Sequence, residues 1–137
     1  MTRDAGNVRY SLHEPFERAV ECVSSSLRNR GLRIAGELDV SRRVERTLGI
    51  VLRPCRILFV MPGESALSAE SIHPWAAVFL PFHVVVSGND AGTEVQVQTR
   101  VQAGGEPAAA LWGPVIETQA RIAQAVEAVA ARPSMVV

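Results

Sequence analysis

Few residues in this chain could do chemistry. His73 and His83 lie ten positions apart, each near a proline, and with Met61 or Cys55 they offer imidazole and sulfur donors that suit a soft metal or haem. Cys55 follows Pro54 between Arg53 and Arg56, a cationic setting that would depress a thiol pKa and make the sulfur reactive. A structural explanation competes with each. A histidine beside a helix-ending proline usually hydrogen-bonds locally, and His83 sits in a run of β-branched residues as an alternating strand position. A cysteine in an apolar stretch more often packs as a small hydrophobe than reacts, and Cys22 falls off the main stripe of its helix.

The motifs that would settle a catalytic class are missing. There is no Ser, His and acid order with a GxSxG turn, and no glycine-rich loop between strand and helix to cradle a phosphate. All 14 basic residues are arginines, so no lysine is available for Schiff-base chemistry. Arg28, Arg30, Arg33, Arg42, Arg43, Arg46, Arg53 and Arg56 would bind an anionic ligand or a nucleic-acid backbone if they converged. Only Arg42, Arg43 and Arg46 are close enough on one helix to share a surface, Glu45 dilutes them, and aromatic residues for base stacking are not nearby. No catalytic residue, metal ligand set or cofactor is therefore expected. The alternative is an enzyme, or a metal, haem or small-ligand carrier, with a pocket near His73, His83 and Cys55.

Composition sets one soluble domain with no overall charge to draw it to nucleic acid or an anionic membrane. The 137 residues are 47% hydrophobic, enough for one core, and a single domain over 1–137 is expected, with a core of about 8–131 and a frayed tail at 132–137. Formal charge sums to zero, which predicts no field toward DNA or an anionic membrane. Charge is uneven along the chain: residues 1–56 hold 11 Arg against 7 acids, and residues 57–137 hold 3 Arg against 7 acids. No signal-peptide core and no run long enough to span a bilayer is written here, so a cytoplasmic protein with two free thiols is expected.

The elements that must position these residues follow from periodicity. Asn7 to Leu12 alternates as a strand, and His13-Glu14-Pro15 opens a helix whose inward stripe is Phe16, Ala19, Val20, Val23 and Leu27, stopped by Gly31. Leu32 to Leu38 reads as a strand with Leu32, Ile34 and Gly36 on one face. Asp39 or Ser41 then caps a short helix that carries Val44 and Leu48 inward and ends at Gly49. Pro54 to Met61 is an uninterrupted apolar run that reads as a buried strand, terminated by Pro62-Gly63. A helix is expected over about 64–72, an apolar bridge from Trp75 to Leu80, and a strand from Phe82 to Ser87. A turn at Asn89 to Gly92 leads into an alternating strand from Glu94 to Gln102, a loop over 103–110, and a last helix from about Pro114 to Ala131. Its buried stripe is Val115, Ile122, Ala123, Val126, Val129 and Ala130. The order predicts an α+β domain with an antiparallel sheet and helices packed on one face.

Several segments carry a family resemblance. They are Arg30-Gly31-Leu32, Leu38-Asp39-Val40 leading to Leu48-Gly49, Arg53 to Leu58 with Pro62 beyond, and Leu80-Pro81 leading into His83-Val84-Val85-Val86. Over roughly residues 8–131 the chain resembles the bacterial domain of unknown function 302. That resemblance implies a TATA-binding-protein-like α+β architecture, which concerns backbone arrangement and not DNA binding. Many members carry Cys-Asn-Pro where this chain has Val60-Met61-Pro62, and Pro-Cys where it has Pro81-Phe82, so a thiol or metal role inferred for them does not transfer.

The functional expectation is a small binding or interaction module. A sheet covered on one face offers its other face, or a groove beside Trp75, Phe79, Phe82, His83 and Trp112, to a small apolar or anionic ligand or to a second subunit. The continuous apolar run from Trp75 to Phe82, with Leu111-Trp112, predicts a homo-oligomer, most simply a dimer. Burial of the same run in the monomer's own core is the competing expectation.

Overall fold

The computed structural model describes residues 2–4, 7–63, 81–90, 92–98 and 108–130. In chain order these form β1 (Thr2–Asp4), β2 (Asn7–Leu12), α1 (Phe16–Asn29), β3 (Arg33–Asp39), α2 (Val40–Leu48), β4 (Cys55–Met61), β5 (Phe82–Asn89), β6 (Gly92–Gln98) and α3 (Ala108–Ala130). The strands make one six-stranded sheet in the order β1-β2-β6-β5-β4-β3, with every pairing antiparallel. Helices α1 and α3 pack on one of its faces and against each other. This is the α+β architecture that the element order predicts.

Alternation makes the core. Val8, Tyr10 and Leu12 of β2, Leu58 and Val60 of β4, Phe82, Val84 and Val86 of β5, and Val95 and Val97 of β6 all point to the helix side and are buried. They meet Ala19, Val20, Val23 and Leu27 of α1, and Val115, Ile122, Val126 and Val129 of α3, largely the stripes expected from helical spacing. Ala123 and Ala130 lie at the margin, while Ala125 is fully buried in their place. One polar contact crosses the helix pair: the buried Ser26 hydroxyl donates to the Ala125 carbonyl at 2.7 Å.

Helix ends are set by local chemistry. At the end of α1 the Gly31 N–H donates to the Arg28 carbonyl and the Leu32 N–H to the Leu27 carbonyl. This paired closure needs Gly31 in the left-handed region, at φ 76°. Asp39 caps α2, accepting from the Arg42 N–H at 2.9 Å and from the Ser41 hydroxyl at 2.8 Å. Gly49, at φ 69°, closes its other end.

Several expectations need correction. The faces of β3 do not continue through Gly36, because a bulge between Ile34 and Gly36 shifts the register. Ile34 pairs with Val60 and packs on the core, whereas Gly36 pairs with Phe59 on the far face. Helix α2 buries no residue and Leu48 is 66% exposed, since α2 touches β4 but lies outside the layer formed by α1 and α3. The apolar run of β4 is not buried on both faces: Leu58 and Val60 are enclosed, and Ile57 and Phe59 are only half-buried. Helix α3 begins at Ala108, ahead of Pro114, because Ala108-Ala109-Ala110-Leu111 is a run of strong helix formers. The short, polar β1 gave no periodic signal. The helix expected at 64–72, the Trp75 to Leu80 bridge, strand positions 99–102, loop positions 103–107 and the tail at 132–137 lie outside the described residues.

Candidate binding surfaces

Three regions of the described structure could hold a partner or ligand: a groove at one end of the helix layer, the sheet face that α1 and α3 leave uncovered, and α2 with the segment after it. The groove consists of two adjoining cavities of about 540 and 520 Å³ that share Pro15, Phe16 and Pro54. Arg56 lines it beneath the start of α1. Its guanidinium donates two hydrogen bonds to Glu17, at 3.1 and 3.2 Å, and lies 3.7 Å from Asp39 and 3.9 Å from Glu37. It also stacks over the Phe16 ring, 5.4 Å from the centroid. Burial works against the charge on Arg56, but the three carboxylates outweigh it and hold the guanidinium protonated. Arg53 is paired with Asp90 at 3.0 Å. Arg53 and Arg56 are thus matched by the chain's own acids, whereas Arg42 also lines the groove, and the ion pairs tie α1 to β3, β4 and the β5-β6 hairpin.

The uncovered face has a different character. Strand alternation sends Leu38 of β3, Ile57, Phe59 and Met61 of β4, and Val85 of β5 to the side away from α1 and α3. Leu38, Ile57 and Val85 stand in one cross-strand row, and Gly36, Phe59 and His83 in the next. The His83 ring meets Phe59 edge-on, with centroids 5.3 Å apart and an interplanar angle of 85°. Toward β6 and β2 the face turns polar, with Glu94, Gln96 and Arg9, and Arg9 lies 3.7 Å from Glu94.

Between β3 and β4 the chain makes an arm of α2 and the segment that leads to β4, whose Leu52 lines the groove with Phe16 and Arg56. Leu48, Ile50, Val51 and Leu52 are 66%, 50%, 79% and 44% exposed, four large apolar side chains within five residues. Arg42, Arg43 and Arg46 line a cavity of about 310 Å³ on α2, sharing a surface as their helical spacing predicts. None of the three is ion-paired among the described residues.

The residues singled out by sequence are divided by this architecture. Phe82 is 3% exposed in the core, and its neighbour His83 lies exposed on the opposite face. His73, Trp75 and Phe79 lie outside the described residues; Trp112 falls within α3. Cys55 pairs with Ser87 and His83 with Phe59, four rungs along the same hairpin, which separates them by roughly 13 Å. Burial, and then the charge of Asp39, push the Cys55 thiol up, opposite to what an activated nucleophile needs. Among the described residues no group of three or more His, Cys, Asp or Glu could hold a metal. Cys22 and Cys55 are both free thiols.

Sequence reasoning passed over Ile50, Val51 and Leu52, although a signal was present. Three apolar residues lie between a helix-ending glycine and Pro54, with no period to bury them. No helix among the described residues is long and apolar enough to cross a membrane.

Comparison with known proteins agrees with the architecture. The crystal structure of an uncharacterized conserved DUF302 protein from Bacillus stearothermophilus superposes with a TM-score of 0.76 at 18% sequence identity, covering 92% of this chain and 99% of that one. At that identity the likeness speaks for the fold. Among curated proteins none matches. The model of the domain of unknown function DUF302 matches residues 8–129, nearly the whole described sheet together with its helices, and the chain belongs to that family.

Proposed function

We propose that this chain is a small binding module that works by presenting the uncovered face of its sheet to a second copy of itself, with no catalytic step of its own. The observation that carries this reading is the apolar half of that face, Leu38, Ile57, Phe59, Met61 and Val85, over which neither α1 nor α3 packs. Contiguous apolar surface of this kind marks an interaction site more often than a free surface. The face also holds oppositely charged Arg9 and Glu94 side by side, so two copies can approach without strong repulsion. A two-fold arrangement needs only one self-complementary patch. In this reading the protein is cytoplasmic, its cysteines stay reduced, and its TATA-binding-protein-like architecture is a matter of backbone arrangement alone.

Cys55 gives a built-in reporter, because it lies on this face while Cys22 sits on α1. Thiol labelling of the native protein is expected to slow at Cys55 as concentration rises from below 1 µM to about 100 µM, while Cys22 keeps a constant rate. Equal, concentration-independent rates at both cysteines would remove the basis for the reading.

A further inference from the structure

Three guanidinium groups of α2 meet at one cavity without an ion pair among the described residues. We propose that this cavity is a binding site for the phosphoryl group of a small phosphate monoester, held by Arg42, Arg43 and Arg46. Such a site goes beyond the docking of a second copy and does not depend on it.

Three observations point to this ligand. The first is geometry. The cavity, about 310 Å³, is lined by the three arginines and Thr47 with Leu38 and Asp39, a volume within the range of small-molecule sites. Three cations against the one carboxylate of Asp39 leave two positive charges in excess, and that carboxylate is already engaged by the Arg42 N–H and the Ser41 hydroxyl. Arg42 also lines the groove with Glu17 and Glu45, so Arg43 and Arg46 are the cations committed to this cavity. The second is what the fold gains from these charges. Arg42 and Arg43 stand in the first turn of α2, where the helix dipole disfavours cations, and Arg42 and Arg46 are like charges one turn apart. The helix buries no residue, and only the capping Asp39 offsets its first turn. Charges set against local electrostatics with so little return in packing mark a functional position, and a bound anion relieves the conflict. The third is the count of donors. Guanidinium forks pair with oxygens two at a time, so three forks outnumber the two oxygens of a carboxylate and suit the three terminal oxygens of a phosphate monoester. Its charge at neutral pH, between about −1.5 and −2, matches the excess. Residues 42 to 46 cover about 6 Å of helix, room for one phosphoryl group and not for the successive phosphates of a strand. Leu38, half-buried, gives the organic part of the ligand an apolar wall.

Phenyl phosphate is the probe, because it joins a dianionic phosphoryl group to an apolar ring. Calorimetric titration at about 50 mM salt is expected to show saturable binding at one site per chain, with a raised unfolding temperature. Phenyl sulfate, with the same three terminal oxygens but a single charge, should bind roughly 10-fold more weakly. Arg43→Gln with Arg46→Gln should weaken phenyl phosphate roughly 30-fold or more, while Arg28→Gln, at an exposed position of α1, leaves it unchanged. Without ligand the double variant should unfold at a temperature no lower than wild type, since it loses two like charges from α2. Absence of saturable binding to wild type up to about 10 mM overturns the proposal. Binding that survives the double substitution, or an equal loss in Arg28→Gln, also overturns it. A single-stranded oligonucleotide that displaces phenyl phosphate at micromolar concentration would assign the arginines to a nucleic-acid backbone and overturn the small-ligand site. Flotation with anionic phospholipid vesicles that requires Arg43 and Arg46 would overturn it in favour of a lipid surface.

Discussion

Asp39 illustrates how a single side chain organises this end of the fold. Its carboxylate caps α2 through the Arg42 N–H, accepts from Ser41, and stands near Arg56. The Ser41 oxygen in turn accepts from the Cys55 N–H at 3.3 Å, linking the cap to the first residue of β4. The backbone hydrogen bond from Arg42, and then that from Ser41, hold the Asp39 carboxyl below its ordinary value of 3.8. A carboxylate with a depressed folded-state pKa stabilises the fold above its unfolded pKa, and the contribution is lost as pH falls through the folded value. Asp39→Ala is therefore expected to lower the denaturation midpoint at pH 7 and to converge with wild type at the acid end of a titration below pH 4. A gap that stays constant down to pH 2.5 would show that the cap's charge is irrelevant. Burial first, and then the same carboxylate, oppose ionisation of Cys55.

At the scale of elements, the junctions carry more constraint than the strands and helices they join. Where β4 ends, Pro62 is fully buried and Gly63 lies against the loop that closes α1. A Cβ at Gly63 would fall on the Gly31 carbonyl oxygen, and Gly31 itself is held in the left-handed region by the hydrogen bonds that end α1. Neither backbone can yield without disturbing the other. Gly63→Ala should cost about 1–3 kcal/mol in chemical denaturation, the range for forcing extra volume into packed structure. Gly49→Ala is the informative contrast, because its Cβ meets nothing within 4 Å and only the positive φ resists it. A loss at Gly63 no larger than that at Gly49 would mean that the two loops separate easily. The bulge in β3 belongs to this scale too: it turns Glu37 toward Arg56 and Gly36 toward Phe59, giving one edge strand a role on both faces.

At the scale of the whole molecule, the pairing of the arginines bears on how strongly a polyanion would be held. Arg56 and Arg53 are engaged by Glu17 and Asp90, Arg18 by Glu14 and Arg121 by Glu117. Of the eleven Arg in the first 56 residues, Arg9, Arg18, Arg53 and Arg56 are thus neutralised by nearby carboxylates. The three guanidinium groups of α2, without an ion pair among the described residues, share one cavity on that helix. Association with DNA should be weak, without sequence preference, and largely gone at about 0.2 M salt. A specific complex that survives that salt concentration in a mobility-shift titration would contradict this electrostatic picture.

Periodicity alone was enough to read α1, β2, β5 and most of the buried stripe of α3, with Ala125 in the core where Ala123 and Ala130 were expected, because an element that packs on a core repeats its apolar residues at its own pitch. Capping chemistry placed the stops of α1 and α2 at Gly31 and Gly49 and narrowed the start of α2 to Asp39 or Ser41, of which the structure uses Asp39, since these residues act through their own backbone and nearest neighbours. The family pattern was legible for the same reason: its residues mark those turns and caps. The faces were not legible. The bulge in β3 depends on how that strand pairs with β4, and whether Ile57 and Phe59 are covered depends on where α1 and α3 lie. The apolar residues of the arm look like core in a sequence, and only the tertiary structure leaves Leu48, Ile50, Val51 and Leu52 outside it. Cys55 and His83, similarly, are neighbours in composition but stand four rungs apart on one hairpin, a separation set by strand register and by nothing local to either residue.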